Sequence, residues 1–232
     1  MLAFVSYDIA EMLEKVTGIK TLALKPYFRL DKPVCSHADM LINIIEDRIF
    51  CYEDYYLENK SIFDRAENEG YTLVKCAPPA SSAYPDDIGL NALIIGKKIF
   101  GNIKHLSREL LDFANERGYE TVNVKQGYAA CSTLVFNNSC VVTADPSIKK
   151  AMEMHNIEVV FVDDSSIKLE GYSKGFIGGA TGVVCDNICF FGNPAKLDGY
   201  ENIHEKIVSL GMKEISIMSG DVYDFGGIKL IK

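Results

Sequence analysis

The sequence predicts an α/β fold, a five-fold pseudosymmetric propeller of strand–strand–helix–strand (ββαβ) repeats that is closed by the N- and C-terminal strands. Three observations predict it. The same order of elements recurs four times, with hairpin turns about 50, 41 and 49 residues apart. A small or acidic residue stands seven positions before each turn. The two terminal segments together supply a fifth, split copy.

The first two repeats follow one template. Residues 40–45 and 48–52 are predicted as a hairpin around Glu46-Asp47, followed by a helix over 57–68 and a strand over 71–74. Residues 91–95 and 98–101 are predicted as a hairpin around Gly96-Lys97, followed by a helix over 106–116 and a strand over 121–124. The third strands are short and aliphatic, which is typical of strands covered on both faces.

The next two repeats have the same template. Residues 132–136 and 139–143 form the third predicted hairpin, with a helix over 146–155 and a strand over 158–162. Residues 181–185 and 188–192 form the fourth, with a helix over 200–210 and a strand over 214–217. The Asn137-Asn138 and Asp186-Asn187 pairs tolerate the positive φ of tight hairpin turns. Asp145-Pro146 is a helix cap followed by proline at the first helical position.

The register of the repeats predicts where they converge. The positions seven residues before the four turns are Asp39, Gly89, Ala130 and Gly179, and small residues are expected where chains crowd together. Gly226-Gly227 begins a fifth copy, which a strand over 2–6, a helix over 9–16 capped by Asp8 and a strand over 21–24 would complete.

These boundaries predict one domain over residues 1–232. Its repeats are expected at about 38–76, 84–124, 126–162 and 175–218, with 222–232 completed by 1–25. Closure of the ring would leave no exposed sheet edge. The alternative is an open, doubly wound sheet built from similar hairpins and helices.

Composition limits the partners. A formal net charge of −8 argues against binding to DNA or to anionic membranes. The chain starts without a basic leader region, and no apolar run approaches the length of a membrane span. Seven cysteines, an odd number, stand partly within apolar strands and favour reduced thiols in the cytoplasm. Histidines and cysteines do not cluster at metal-ligand spacing, so neither a metal nor another cofactor is expected.

Several segments carry a family resemblance. His37-Ala38-Asp39 is similar to the His-x-Asp at the start of one blade in arginine deiminases. The segments 125–131, 175–180 and 224–227 resemble those of an uncharacterised bacterial family of the same fold. The repeat pattern of the whole chain resembles the pentein, or guanidine-modifying, superfamily. That superfamily includes deiminases, dimethylarginine hydrolases, amidinotransferases and a non-enzymatic ribosome anti-association factor. The chain differs from the deiminases in having its candidate cysteine, Cys131, in mid-chain.

The resemblance implies a hydrolase or transferase that acts on a cationic guanidino or amidino small molecule. If the ring closes, the polar residues before each first strand meet in one central pocket. Cys131 would be the nucleophile and His37 the general acid and base, with Asp39 as a third catalytic residue. Substrate-binding roles are expected for the remaining polar residues there, Asp87, Asn91 and Asp224. The neighbouring Asp86 is a further carboxylate candidate.

Plainer interpretations remain open for each of these residues. A packing thiol is the commoner interpretation of Cys131, an exposed loop residue is the alternative for His37, and turn or cap residues are the alternative for the aspartates. The Gly-rich stretch 178–182 lacks the Lys-Ser/Thr of a phosphate loop and precedes a strand, so close packing explains it better. The alternative function is a non-catalytic module that binds a protein or ribonucleoprotein, with the aromatic cluster Tyr52, Tyr55 and Tyr56 as its first candidate surface.

Overall fold

The computed structural model describes residues 1–231, which form five three-stranded sheets. In each sheet the central strand pairs antiparallel with one neighbour and parallel with the other, and a helix connects the parallel pair. Each sheet with its helix is called a blade below. The strand that begins each ββαβ repeat lies at one edge of its sheet. The chain therefore has the predicted repeat architecture.

The split blade begins at the N-terminus. It contains β1 (Leu2–Ser6), α1 (Tyr7–Thr17) and β2 (Lys20–Leu24). The first continuous blade contains α2 (Ala38–Leu41), β3 (Ile42–Ile45), β4 (Arg48–Tyr52), α3 (Glu53–Glu58), α4 (Lys60–Asn68) and β5 (Thr72–Cys76). The second contains β6 (Leu93–Ile95), β7 (Lys98–Gly101), α5 (Arg108–Glu116) and β8 (Glu120–Asn123).

The third blade contains β9 (Thr133–Asn137), β10 (Cys140–Thr143), α6 (Pro146–Met154) and β11 (Glu158–Phe161). The fourth contains β12 (Thr181–Val184), β13 (Asn187–Phe190), α7 (Tyr200–Ser209) and β14 (Lys213–Ser216). The C-terminal strand β15 (Lys229–Ile231) completes the split blade. Short 3₁₀ turns occupy Lys32–Val34, Ile103–His105 and Pro194–Lys196.

The two ends of the chain close the propeller. Strand β15 pairs antiparallel with β1, with Leu2 opposite Ile231 and Phe4 opposite Lys229. Strand β1 then pairs in parallel with β2, so the split blade has the same order of strands as the others. The predicted joining of the termini in one sheet is confirmed, and the open doubly wound sheet is excluded.

A closed ring of hydrogen bonds connects the starts of the five blades. The links are Asn91 Nδ2 to the Asp39 carbonyl (2.9 Å), Ala130 N to Asn91 Oδ1 (2.9 Å), Gly179 N to the Cys131 carbonyl (3.0 Å), Gly227 N to the Gly179 carbonyl (2.9 Å) and Asp39 N to the Gly226 carbonyl (3.1 Å). We call these residues the blade-start ring. Three of the four positions predicted from the turn register, all except Gly89, belong to it.

Glycine is required in this ring because the chains approach so closely. A Cβ atom at Gly179 would lie 2.0 Å from Asp224 Oδ1, and one at Gly226 would lie 2.3 Å from the Cβ of His37. Gly226 also has a φ of +78°, which L side chains rarely adopt. The close-packing interpretation of the glycine-rich segments is therefore confirmed.

Four local predictions were wrong. The first strand of the first blade begins at Ile42 instead of residue 40, because residues 38–41 form α2. The predicted helix 57–68 is two helices that meet at Asn59, whose φ of −122° interrupts the helix. The side chain of Ser6, not Asp8, caps α1. The third strands lie at the outer edges of the sheets and are largely exposed or half-buried, so they are not covered on both faces.

Apolar clusters fill the spaces between blades. The largest joins the first blade to its two neighbours and includes Phe4, Phe50, Phe63 and Leu110. All seven cysteines are free thiols. Among the described residues, no helix has the length and apolar character needed to cross a bilayer.

Candidate functional site

The centre of the propeller holds two cavities on opposite sides of the blade-start ring. Residues that mostly precede the ring in the chain, together with Met40 and the ring residue Cys131, line the smaller one, of about 190 Å³, which we call the front chamber. Residues that follow the ring line the larger one, of about 320 Å³, which we call the rear chamber. Every blade contributes its inner strand to the rear chamber, namely β3, β6, β9, β12 and β15.

The front chamber brings together three of the predicted site residues. His37, Cys131 and Asp224 all line it, and each is at most 5% exposed. Met40 and Leu169 add apolar surface, and the aromatic rings of Tyr128, Tyr172 and Phe176 form much of the remaining wall. This chamber combines a thiol, an imidazole and a carboxylate within an aromatic enclosure.

Cys131 is held by the side-chain amide of Asn91. Asn91 Nδ2 lies 2.9 Å from the Cys131 sulfur, and Asn91 Oδ1 accepts a hydrogen bond from the Cys131 backbone at 3.3 Å. Burial raises the pKa of the Cys131 thiol well above its usual range, and the nearby carboxylates of Asp39 and Asp224 raise it further. The thiol is therefore neutral in the unliganded protein at physiological pH.

His37 and Asp224 face one another. The distance from His37 Nδ1 to Asp224 Oδ1 is 3.6 Å, within ion-pair range when the imidazole is protonated. The two oxygens of Asp224 also accept backbone hydrogen bonds from Gly226 (3.0 Å) and Phe176 (2.9 Å). Burial raises the pKa of Asp224 to about 6, although His37 and the backbone donors act in the opposite direction.

Asp39 belongs to the ring and lies at the wall of the rear chamber, close to the Cys131 thiol. Its side chain lines the rear chamber and is only 2% exposed with the rest of the residue. Neither carboxylate oxygen has a hydrogen-bond partner among residues 1–231. A buried carboxyl group without hydrogen-bond partners carries a desolvation cost that the surrounding residues do not offset.

Asp87 and Asn91 lie behind the chamber wall. Asp87 is buried and accepts a hydrogen bond from the Tyr128 hydroxyl at 2.8 Å, so Tyr128 stands between it and the front chamber. Burial raises the pKa of Asp87. Asn91 is committed to the ring and to Cys131. Asp86 is exposed and bonds to Ser81, outside the site.

Two groups of residues were missed by sequence reasoning. Lys229 lines the rear chamber from β15, and the aromatic residues Tyr128, Tyr172 and Phe176 enclose the front chamber. The lysine interrupts the apolar run Ile228 to Ile231, and such an interruption in an inner strand is a signal that could have identified it. The aromatic residues lie in loops, where spacing gives no comparable signal.

The aromatic cluster that was expected to form the surface of a non-catalytic binding module is buried. Tyr52 and Tyr55 are at most 1% exposed, and Tyr56 is half-buried. Tyr52 stacks on Tyr27, and Tyr55 packs against Phe63. This cluster is part of the apolar core, and the expectation of a docking patch there was wrong.

Comparison with protein families assigns the chain. The profile described as "Family of unknown function (DUF6873)" matches residues 4–229. The chain belongs to this family. A comparison with curated protein sequences gave no match. The family description carries no activity, so the chemistry of this member has to be argued from its own residues.

Solved structures identify the fold of this family member. DDAH from Pseudomonas aeruginosa, solved as a mutant with citrulline, has a TM-score of 0.57 and 11% identity, and the match covers 93% of this chain and 91% of that one. SxtG, an amidinotransferase from Microseira wollei, has a TM-score of 0.58 and 12% identity over 90% and 72% of the two chains. The inosamine-phosphate amidinotransferase from Streptomyces griseus has a TM-score of 0.53 and 10% identity over 91% and 73%.

These neighbours are pentein-fold proteins, and the present chain has the same fold. The predicted superfamily resemblance and fold class are confirmed. At 10–12% identity the likeness shows the fold alone.

Proposed function

We propose that this protein is a hydrolase or transferase that acts on a cationic guanidino or amidino small molecule, with Cys131 as the nucleophile. The observation that carries the proposal is that Cys131 and His37 line the same buried chamber, with Asp224 beside the imidazole. The structural neighbours include a DDAH and two amidinotransferases, which supports the same substrate class.

The charge in and below the front chamber favours a cation. Asp224 lines the chamber directly, and Asp39 lies close enough to act on the Cys131 thiol. The lining also includes Lys174, but this lysine forms an ion pair with the buried carboxylate of Asp164, so its charge already has a partner. A planar guanidinium can pair with such carboxylates and also stack on tyrosine or phenylalanine rings. Tyr128, positioned by Asp87, and Phe176 supply such rings.

Substrate binding activates the thiol. A guanidinium carbon about 4 Å from the sulfur stabilises the thiolate by about 4 kcal/mol at an effective dielectric constant of 20, which corresponds to about 3 pKa units. This offsets the upward shift of the Cys131 pKa that burial and the carboxylates produce. His37 accepts the thiol proton, and Asp224 stabilises the resulting imidazolium.

The first chemical step forms a C–S bond. The thiolate adds to the guanidinium carbon and gives a neutral tetrahedral adduct. His37 then returns the proton to one nitrogen, the C–N bond breaks, and ammonia or an amine leaves. Cys131 is left as a cationic S-alkylthiouronium.

The second step breaks that C–S bond. In a hydrolase, water adds to the same carbon after His37 takes its proton, and collapse gives a urea product with regeneration of the thiol. In a transferase, an acceptor amine replaces water and leaves as the new guanidine. Asn91 remains hydrogen-bonded to the sulfur position through both steps.

We place this reaction in the bacterial cytoplasm. The seven free cysteines include Cys185, which is exposed, and such thiols persist in a reducing compartment.

The test is turnover and covalent capture with a panel of guanidino compounds, such as arginine, agmatine and guanidinoacetate. We expect ammonia or amine release from at least one, and a thiouronium adduct on the peptide that contains Cys131. Cys131→Ala should lower the rate by at least about a thousandfold. The control is Cys51→Ala, a buried thiol in the apolar core, which should retain the rate. Turnover that survives Cys131→Ala, or no turnover and no adduct with any compound, would overturn the proposal.

A further inference from the structure

The rear chamber is a second cavity with a charge pattern of its own. Its wall consists of the inner strands of all five blades, each of which lies at the edge of its sheet. An edge strand keeps one row of backbone N–H and C=O groups unpaired within its sheet, so the wall offers polar groups even where its side chains are apolar. A volume of about 320 Å³ is enough for one small molecule.

Two opposite charges face this cavity. Asp39 presents a carboxylate whose oxygens have no hydrogen-bond partner among residues 1–231. Lys229 extends from β15 into the same space and forms no ion pair within that part of the chain. The two groups are not within ion-pair distance of one another, so neither neutralises the other directly. The side-chain hydroxyl of Thr133 at the same cavity is also buried without a partner.

Lys229 lies deep in the protein although part of its side chain faces the cavity. Burial lowers the pKa of Lys229, while the neighbouring Asp39 raises it. Because no carboxylate of residues 1–231 lies within ion-pair distance of the Lys229 ammonium group, an anionic group beside it would stabilise its charged form.

The opposite charges of Asp39 and Lys229 favour one class of ligand. A simple anion beside Lys229 would also be exposed to the Asp39 carboxylate, and a simple cation beside Asp39 would be exposed to the Lys229 ammonium. A molecule with one group of each sign neutralises both charges at once. We propose that the rear chamber binds a small zwitterion, such as an amino acid, with its carboxylate on Lys229 and its ammonium on Asp39.

This second site goes beyond the proposed function and does not require it. It nevertheless acts on the front chamber, because Asp39 contributes to the raised pKa of the Cys131 thiol. A ligand ammonium on Asp39 would cancel part of that contribution and lower the pKa of the thiol. A bound zwitterion is therefore expected to accelerate the alkylation of Cys131 by a neutral reagent.

The experiment is calorimetric titration of the full chain carrying Cys131→Ala, so that reaction at the thiol cannot contribute. The probes are glycine, β-alanine and 4-aminobutyrate, which differ in charge separation, with propionate and ethylamine as single-charge controls. We expect one amino acid to bind at least tenfold more tightly than propionate and ethylamine. Lys229→Gln should weaken that binding at least tenfold, and Lys213→Met, at an exposed lysine of β14, should leave it unchanged.

Three outcomes would overturn the proposal. The first is propionate or ethylamine binding as tightly as every amino acid, and the second is no binding of any probe at about 10 mM. The third is amino-acid binding that persists in Lys229→Gln. If circular dichroism shows that Lys229→Gln does not fold, the proposal is tested instead by the rate at which iodoacetamide alkylates Cys131 in the wild-type protein. It should rise several-fold with the bound amino acid and remain constant with propionate or ethylamine, and an unchanged rate with every probe would contradict the site. Failure of guanidine turnover would not affect either result.

Discussion

The front and rear chambers lie on opposite sides of the same blade-start ring, but they differ in whether their buried polar groups have hydrogen-bond partners. In the front chamber, both Asp224 oxygens accept backbone hydrogen bonds, and the Asn91 amide is engaged with Asp39, Ala130 and Cys131. In the rear chamber, Asp39 and Thr133 have buried oxygens without partners. The protein itself fixes the geometry of the front, whereas the rear needs water or a ligand to complete it.

The largest effect on stability is expected when the side chain of Asn91 is removed. Asn91→Ala leaves the Asp39 carbonyl and the backbone N–H groups of Ala130 and Cys131 without their partner. Since these are buried groups, we expect a loss of about 3 to 5 kcal/mol in the free energy of unfolding. Urea denaturation measures it.

Asn115→Ala is the matched control, because Asn115 is an exposed residue of α5. It should change stability by no more than about 0.5 kcal/mol. Equal effects of the two substitutions would mean that the ring is not a structural unit.

The pH dependence of the free energy of unfolding tests the front chamber further. The pKa of Asp224 is raised to about 6, so the folded protein binds this proton more tightly than the unfolded chain does, whose aspartates titrate near 4. The resulting stabilisation is fully present below about pH 4 and is lost as the pH rises through about 6. We expect this decline to be on the order of 2 kcal/mol.

Asp224→Asn should remove that decline, measured as the change in unfolding free energy between pH 4 and pH 7. Asp112→Asn, at an exposed residue of α5, should retain it. A profile of Asp224→Asn parallel to the wild type would show that another group titrates in this range.

The smallest expected effect belongs to the rear chamber. Thr133→Val deletes a buried hydroxyl that has no partner among residues 1–231. Because no hydrogen bond is lost and a polar group is removed from the interior, stability should stay within about 0.5 kcal/mol of the wild type or increase. A loss above about 1.5 kcal/mol in thermal or urea unfolding would mean that this hydroxyl is satisfied, and the contrast between the chambers would weaken.

The repeat architecture could be predicted because its causes are local. Turn residues, helix caps and apolar periodicity recur within each blade, and the spacing before each turn identified Asp39, Ala130 and Gly179 as points of convergence. That convergence in turn predicted that His37, Cys131 and Asp224 would meet, and all three line the front chamber.

The remaining features depend on packing between blades. Asp87 is separated from the chamber by Tyr128, a residue 41 positions away in sequence, and no spacing rule reports such a contact. The division of the channel into two chambers follows from the ring of hydrogen bonds, which exists only when all five blades are assembled. The importance of Lys229 likewise depends on the closure of β15 against β1.

The central claim is that Cys131 is a nucleophile in a site built for a cation, and selective alkylation tests it most directly. The protein is treated near neutral pH with cationic 2-chloroacetamidine or neutral chloroacetamide, and each cysteine is followed by mass spectrometry. Exposed Cys185 supplies the intrinsic ratio of the two reagents. We predict that the amidine-to-amide rate ratio at Cys131 exceeds the ratio at Cys185 by about a hundredfold, since the carboxylates attract the cation. Equal ratios at the two residues, or labelling of Cys185 with Cys131 unmodified, would contradict the account.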